Sequence, residues 1–328
     1  MHVSARFGIV FFTICGYGGR VQAAAIELEI ESQPDVWRKA AELAPRVEGA
    51  LPPPGARLAI VGCGTSLFVA QAIAGLREAA GHGETAALAA SEATLDGRYD
   101  VVVAVSRSGE TTEVARAIEA VPDRSETIAI LGDATSTVAA LADRVIALDF
   151  ADEESIVQTR FATAVLALFR SFLGADVAAL AAAAERSLNA PFPIEPAAFA
   201  RFVFLGTGWA VGVANEAALK LREAAGAWTE SYPVMEYRHG PISASGSKTA
   251  VWALGELDPS VLTSSREAGA TVVETGQDPM VDLVLIHRSA VRLAKAHGLD
   301  PEQPAHLSRA VVLQPALTGE PDRHIVNE

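Results

Sequence analysis

The chain has 328 residues, 50% of them hydrophobic and 20% charged, a balance that allows a large buried core and excludes disorder as its global state. With 26 Lys and Arg against 40 Asp and Glu, the net charge of −14 disfavours nucleic acid and anionic membrane surfaces as partners, so an anionic ligand must be held by local donors. The two cysteines, Cys15 and Cys63, come without a CxxC or Cys/His cluster, which offers neither a disulfide framework nor a metal site and fits a reducing, cytoplasmic setting.

Residues 1–25 form an unassigned amino-terminal segment. Its apolar stretch 6–18, behind His2 and Arg6, is too short for a membrane span, while Ala23-Ala24-Ala25 resembles a signal cleavage site. The competing reading, favoured by the low cysteine usage of the remainder, is a start placed too early, with initiation at Val21. From Ile26 to Val47 the pattern is amphipathic and helical, and Pro52-Pro53-Pro54-Gly55 stops it.

An apolar strand at 57–61 runs into Gly62-Cys63-Gly64-Thr65-Ser66 and an Ala-rich helix to Ala80. A second, at 100–105, enters Ser106-Arg107-Ser108-Gly109-Glu110-Thr111 and a helix from Thr112 to Ala120. Further strands are predicted at 127–131 and 145–148, then helix across 159–188 and a Pro-bearing connector from Asn189. The scheme restarts at 202–205 with the turn Gly206-Thr207-Gly208, 144 residues after the first turn, followed by strands at 248–254 and 270–274 and a closing helix at 281–297. Strands apolar on both faces and alternating with helices predict parallel sheets covered on both sides. The resulting division is 26–188 and 189–313 for two copies of one α/β unit, with 314–328 as a loose tail.

The 106–111 loop offers three hydroxyls and a guanidinium at the head of a helix, where backbone N–H groups and the positive end of the dipole favour phosphate. Thr65 and Ser66 occupy the same end of the neighbouring strand, so both turns can converge on one phosphoryl group. Helix capping by the same hydroxyls is the plain alternative, and it is the pairing of two such turns that favours phosphate. Gly62-x-Gly64 lacks the third glycine and the acidic ribose ligand of a dinucleotide fingerprint, which argues against NAD. Downstream, Glu216, Lys220 and Glu223 stand at i, i+4 and i+7 of one helix, either a solvated ion-pair ladder or a functional stripe. Cys63 reads as a small hydrophobe rather than a nucleophile. His239, followed by Gly240-Pro241, is presented on a loop and can give or take a proton near neutral pH.

Taken together, Cys-Gly-Thr-Ser at 63–66, Ser-x-Ser-Gly-Glu-Thr at 106–111, Glu-x-Ala-Leu-Lys-Leu-Arg-Glu at 216–223 and Glu-x-x-His-Gly-Pro at 236–241 resemble the sugar isomerase (SIS) family. The branch most resembled is the isomerase domain of glutamine–fructose-6-phosphate aminotransferase (glucosamine-6-phosphate synthase), over residues 26–313. The resemblance implies two doubly wound, flavodoxin-like αβα subdomains, a homodimer with sites near the subunit boundary, a hexose 6-phosphate ligand, and no cofactor or metal. Thr65, Ser66, Ser106, Arg107, Ser108 and Thr111 would hold the phosphate, with Arg107 where the synthase has glutamine. Glu223 would shuttle a proton between C1 and C2, Lys220 would steady the enediol oxygen, and His239 would open the sugar ring. Cys63, Val157 and Gln158 match sugar-contacting positions loosely.

Two departures redirect the expectation. The glutaminase domain is absent, and the family's Schiff-base lysine is Arg309, which cannot form an imine. Both point to a stand-alone isomerase or deaminase that converts glucosamine 6-phosphate, or a close analogue, to fructose 6-phosphate and ammonia. An ammonia-dependent aminotransferase subunit is the second reading. A non-catalytic sugar-phosphate sensor is the third, and no helix-turn-helix segment accompanies it.

Overall fold

The structure, a computed structural model, describes residues 24–313. The predicted tail 314–328 and nearly all of the segment 1–25 lie outside the described residues.

The amphipathic stretch after residue 24 forms two helices, α1 (Ala25–Glu31) and α2 (Gln33–Val47). The break falls at Ser32, and Pro34 occupies the first turn of α2, where its missing N–H costs nothing. Five strands follow: β1 (Leu58–Gly62), β2 (Thr85–Ala89), β3 (Val101–Ser106), β4 (Glu126–Leu131) and β5 (Arg144–Ala147). They are interleaved with α3 (Thr65–Ala79), α4 (Thr112–Glu119) and α5 (Thr137–Leu141) and pair in parallel in the order β2-β1-β3-β4-β5. After α6 (Arg160–Phe172) and α7 (Val177–Asn189), β6 (Arg201–Gly206), β7 (Trp228–Pro233), β8 (Thr249–Ala253) and β9 (Thr271–Glu274) form a second parallel sheet in the order β7-β6-β8-β9. Its helices are α8 (Ala210–Ala225), α9 (Pro259–Glu267) and α10 (Pro279–Ala296). The second order repeats the first without its last strand, and both follow the flavodoxin-like sequence of a doubly wound sheet.

Strand alternation explains the unbroken apolar runs. Leu58, Ile60, Val101, Val103 and Val105 face a core shared with Phe202 and Phe204 of the second sheet, whereas Ala59, Val61, Val102 and Ala104 face a separate cluster under α4 and α5. Val203 and Leu205 face a third cluster beneath α9. β1, β3, β4, β6 and β8 are thus buried on both faces, at about 1.5–3 kcal/mol per fully buried Val, Leu or Ile. The expected strands all form; β2 and β7, not expected, occupy the same second place in the two copies.

The copies meet through α3 and α8, whose backbones approach closely at Gly212. A Cβ there would lie 2.4 Å from Ala72 N and 2.6 Å from Phe68 O. Asn215 Nδ2 donates to Gln71 Oε1 at 2.6 Å, a bond between residues 144 positions apart, the same interval as the two glycine turns. This contact joins residues at equivalent positions of the two copies.

Candidate phosphate and proton-transfer site

The carboxyl edge of the first sheet carries a small cavity lined by Cys63, Ser66, Ser106, Arg107, Ser108, Thr111, Gln158 and Arg309. β3 delivers the 106–111 loop to this edge, and Gly109 lets it turn: its φ is 65° and a Cβ would fall 1.9 Å from Ser136 Oγ. Ser106 Oγ accepts from Gly109 N (3.1 Å) and Ser108 Oγ from Glu110 N (3.2 Å), which leaves both hydroxyl protons available. Glu110 serves structure, accepting from Thr137 N and Oγ1 at the head of α5. The capping alternative does not describe the two helices: Thr111 stands at the N-cap of α4 and Gly64 at that of α3, and neither end has a side-chain cap.

Arg107 is buried, its Nη1 donating to Ser155 O (2.6 Å) and its Nη2 to Arg309 O (3.3 Å). Its Nε has no partner among the described residues, and neither do the buried Gln158 Oε1 and Ser155 Oγ. Of these residues Arg107 and Gln158 line the cavity, where a polar ligand would satisfy their unpaired atoms. Burial raises the Cys63 thiol above its ordinary value, with Glu113 adding to the shift, which disfavours a thiolate at the cavity wall.

Thr65, at the head of α3, does not line the cavity with its side chain. Its hydroxyl donates to Glu216 Oε1 (3.3 Å) and accepts from Lys220 Nζ (2.9 Å), which leaves its N–H end of α3 for an anion. Lys220 also reaches Glu223 Oε2 at 2.5 Å. Glu216 and Lys220 are each 1% exposed, so the ladder reading of this helix is overturned: two of the three charges are core residues. The Glu223 side chain keeps 19% exposure and is the member of the set that solvent or substrate can reach. Burial, opposed by Lys220, raises the Glu216 carboxyl to about 7. For Lys220, burial works downward, but Glu216 and Glu223 outweigh it and its ammonium titrates above the ordinary lysine value. Glu216 was read as part of the stripe but given no role at the site; its spacing to Lys220 was visible, its burial was not.

His239 is exposed on the loop after β7. Glu223 lies in the last turn of α8, beside the amino end of β7, where Arg222 Nη1 donates to Thr229 O. The two thus stand at opposite ends of a six-residue strand, itself roughly 17 Å long at the usual rise per residue. Val157 is 2% exposed and packs in the shared core, so only its backbone can face the cavity. Among the described residues no group of three or more His, Cys, Asp and Glu side chains is placed to hold a metal ion, and no helix is long and apolar enough to cross a membrane.

Two flavodoxin-ordered sheets joined back to back, with a hydroxyl-lined cavity at the carboxyl edge of the first, define a SIS-domain architecture. Residues 54–173 match the family model described as SIS domain. It is 27% identical over 280 residues to glutamine–fructose-6-phosphate aminotransferase [isomerizing] of Synechocystis sp., covering 66% of this chain and 44% of that protein. The corresponding protein of Methanothermobacter thermautotrophicus is 26% identical over 306 residues, covering 79% and 52%. The chain therefore spans about half the length of these curated relatives. Among solved structures, glucosamine-6-phosphate deaminase from Thermotoga maritima superposes with a TM-score of 0.76 at 26% identity, covering 88% of this chain and 100% of that one. Tagatose-6-phosphate ketose/aldose isomerase from Escherichia coli shares the fold, with a TM-score of 0.71 at 18% identity over 91% and 99%.

Proposed function

We propose that the chain is a phosphosugar isomerase-deaminase that converts glucosamine 6-phosphate, or a close analogue, to fructose 6-phosphate and ammonia. The observation that carries the proposal is the continuous path from cavity to base: Ser66 lines the cavity, and its neighbour Thr65 bonds Lys220, which bonds Glu223. The phosphate would be held by Ser66, Ser106, Ser108 and Thr111 hydroxyls, by Arg107 Nε and by the amides heading α3 and α4. With the sugar open, Glu223 takes the proton from C2 and returns it to C1. Lys220 donates to the oxygen on which charge develops, and the C2 imine then adds water and releases ammonia.

Within one chain His239 and Glu223 stand at opposite ends of β7. The proposal therefore includes a homodimer in which His239 of a second copy assists ring opening at the boundary, which also suits the exposed position of its loop. The full-coverage likeness to a deaminase, together with Arg309 in place of an imine-forming lysine, favours deamination over synthesis.

Glu223→Gln is expected to lower turnover of glucosamine 6-phosphate by about a thousandfold or more, since the base is lost, with fructose 6-phosphate binding kept within a few-fold. Coupled detection of fructose 6-phosphate and ammonia reads the first quantity and calorimetry the second. Full turnover in that variant would refute the assignment. Production of glucosamine 6-phosphate from fructose 6-phosphate and ammonium, with no reverse flux, would select the aminotransferase reading, and binding without turnover of either substrate the sensor.

A further inference from the structure

The cavity has one wall that neither sheet supplies. Residues 302–313 run back from the end of α10 across the segment 152–158 and are anchored at both ends. Ile156 N donates to Glu302 O (3.1 Å), Thr112 N donates to Val311 O (3.1 Å), and Leu313 N donates to Thr112 Oγ1 (2.9 Å). His306, with a φ of 66°, turns the chain between these anchors. Arg309 then lines the cavity together with Ser66, Ser106, Ser108 and Thr111.

Three cations surround this site, and they differ in freedom. Arg107 is buried, with both Nη atoms committed to backbone carbonyls. Lys220 is buried and shared among Thr65, Glu216 and Glu223. Arg309 is different: its Nη2 lies 2.5 Å from Asp152 Oδ1 and its Nη1 donates to Glu153 O, but the Arg309 and Asp152 side chains are 39% and 38% exposed. An ion pair so exposed is worth little and exchanges readily. Its backbone is nevertheless held, because Arg107 Nη2 donates to the Arg309 carbonyl.

We propose that Arg309 is a phosphate-binding residue that exchanges Asp152 for the phosphoryl group of the ligand, so that the carboxyl-terminal segment selects phosphorylated over neutral sugars. A phosphoryl dianion carries twice the charge of the Asp152 carboxylate and accepts a guanidinium in bidentate fashion. Turning to the ligand gives up the bonds to Asp152 Oδ1 and Glu153 O, while the backbone of the segment stays held by the anchors at residues 302, 311 and 313 and by Arg107. Asp152 holds the guanidinium ready and competes with the ligand for it. This inference rests on the reading of the 106–111 loop as a phosphate cradle and adds to it the residue that closes the cradle.

The test is calorimetric titration of fructose 6-phosphate and of unphosphorylated fructose into the full chain and five variants. Arg309→Met is expected to raise the Kd for fructose 6-phosphate about tenfold or more, the loss of one charge-assisted bond, and Arg309→Lys is expected to recover part of that loss. Asp152→Asn is expected to tighten binding two- to fivefold by freeing the guanidinium, roughly the inverse of a weak exposed pair, and to lose that gain in the Arg309→Met background. Ser108→Ala reports on the cradle itself. Weakened binding in Ser108→Ala with Arg309→Met within twofold of the parent would leave the cradle standing and overturn the role of Arg309. Weakening in Asp152→Asn equal to that in Arg309→Met would overturn it too, because the pair would then be a structural strap. No binding of fructose 6-phosphate by the parent chain would remove the phosphate reading and this inference with it.

Discussion

Glu216 shows what a single buried carboxylate does to this site. Its Oε1 is shared by Thr65 and Lys220, while its Oε2 is buried without a partner among the described residues. Desolvation is the larger influence and Lys220 the smaller, so the group holds its proton to about pH 7 in the folded chain, against an ordinary value of 4.5. A carboxyl whose pKa is raised by folding contributes stability that is complete below its unfolded value and lost as pH rises through the folded one. Unfolding free energy is therefore expected to fall between pH 4.5 and pH 8 by an amount that Glu216→Gln removes, about 1–3 kcal/mol. Asp282, raised to about 7 by burial, keeps its share of the slope in both proteins. Urea unfolding at a series of pH values checks this, and parallel curves for the two proteins would show that Glu216 is ionised throughout.

At the scale of elements, the site depends on how closely α3 and α8 approach. Thr65 heads α3 and Glu216 and Lys220 lie on α8, so the bonds between them exist only because Gly212 admits the backbone of Phe68 and Ala72. Gly212→Val is expected to cost about 3 kcal/mol or more, because the atoms it meets are main-chain and cannot rotate away. It should also lower kcat more than it raises the Kd for fructose 6-phosphate, since the cradle is built by the first sheet and the 302–313 segment, not by α8, and only the link to Lys220 is displaced. Thermal unfolding and steady-state kinetics test the two parts separately. A variant with native stability would show that the helices have slack at their crossing.

Legibility at this scale followed burial. Strands buried on both faces announce themselves as apolar runs, and β1, β3, β4, β6 and β8 were read within a residue or two of their bounds. Of the two strands that escaped, β2 (TAALA) has helix-like composition and β7 (WTESYP) is largely polar; both are partly buried sheet edges whose pairing comes from neighbours distant in the chain. The single helix expected over 26–47 is two, because Ser32 and Pro34 act as a joint only when α1 is drawn toward the segment 154–155, whose amides donate to Glu29.

For the molecule as a whole, the separation of His239 from Glu223 has a direct consequence. If the active unit is a dimer sharing His239 across its boundary, mixing inactive Glu223→Gln and His239→Ala chains after subunit exchange should restore about a quarter of parental activity, since half the dimers carry one intact site of two. No recovery on mixing, with exchange verified by mass, would place the two residues in unrelated roles.

The sequence by itself determined the repeated α/β unit, the phosphate-suited turns and the Glu-Lys-Glu spacing, because these are local patterns: strand periodicity, turn chemistry and helical register act over a few residues. Only the tertiary structure decided that Glu216 and Lys220 are core residues, that Thr65 faces them, that Arg309 lines the cavity and that His239 lies beyond the carboxyl end of β7. Burial and charge pairing between residues 151 to 157 positions apart, as in Thr65 with Glu216 and Lys220 or Asp152 with Arg309, are set by the packing of the two copies, which no local pattern encodes.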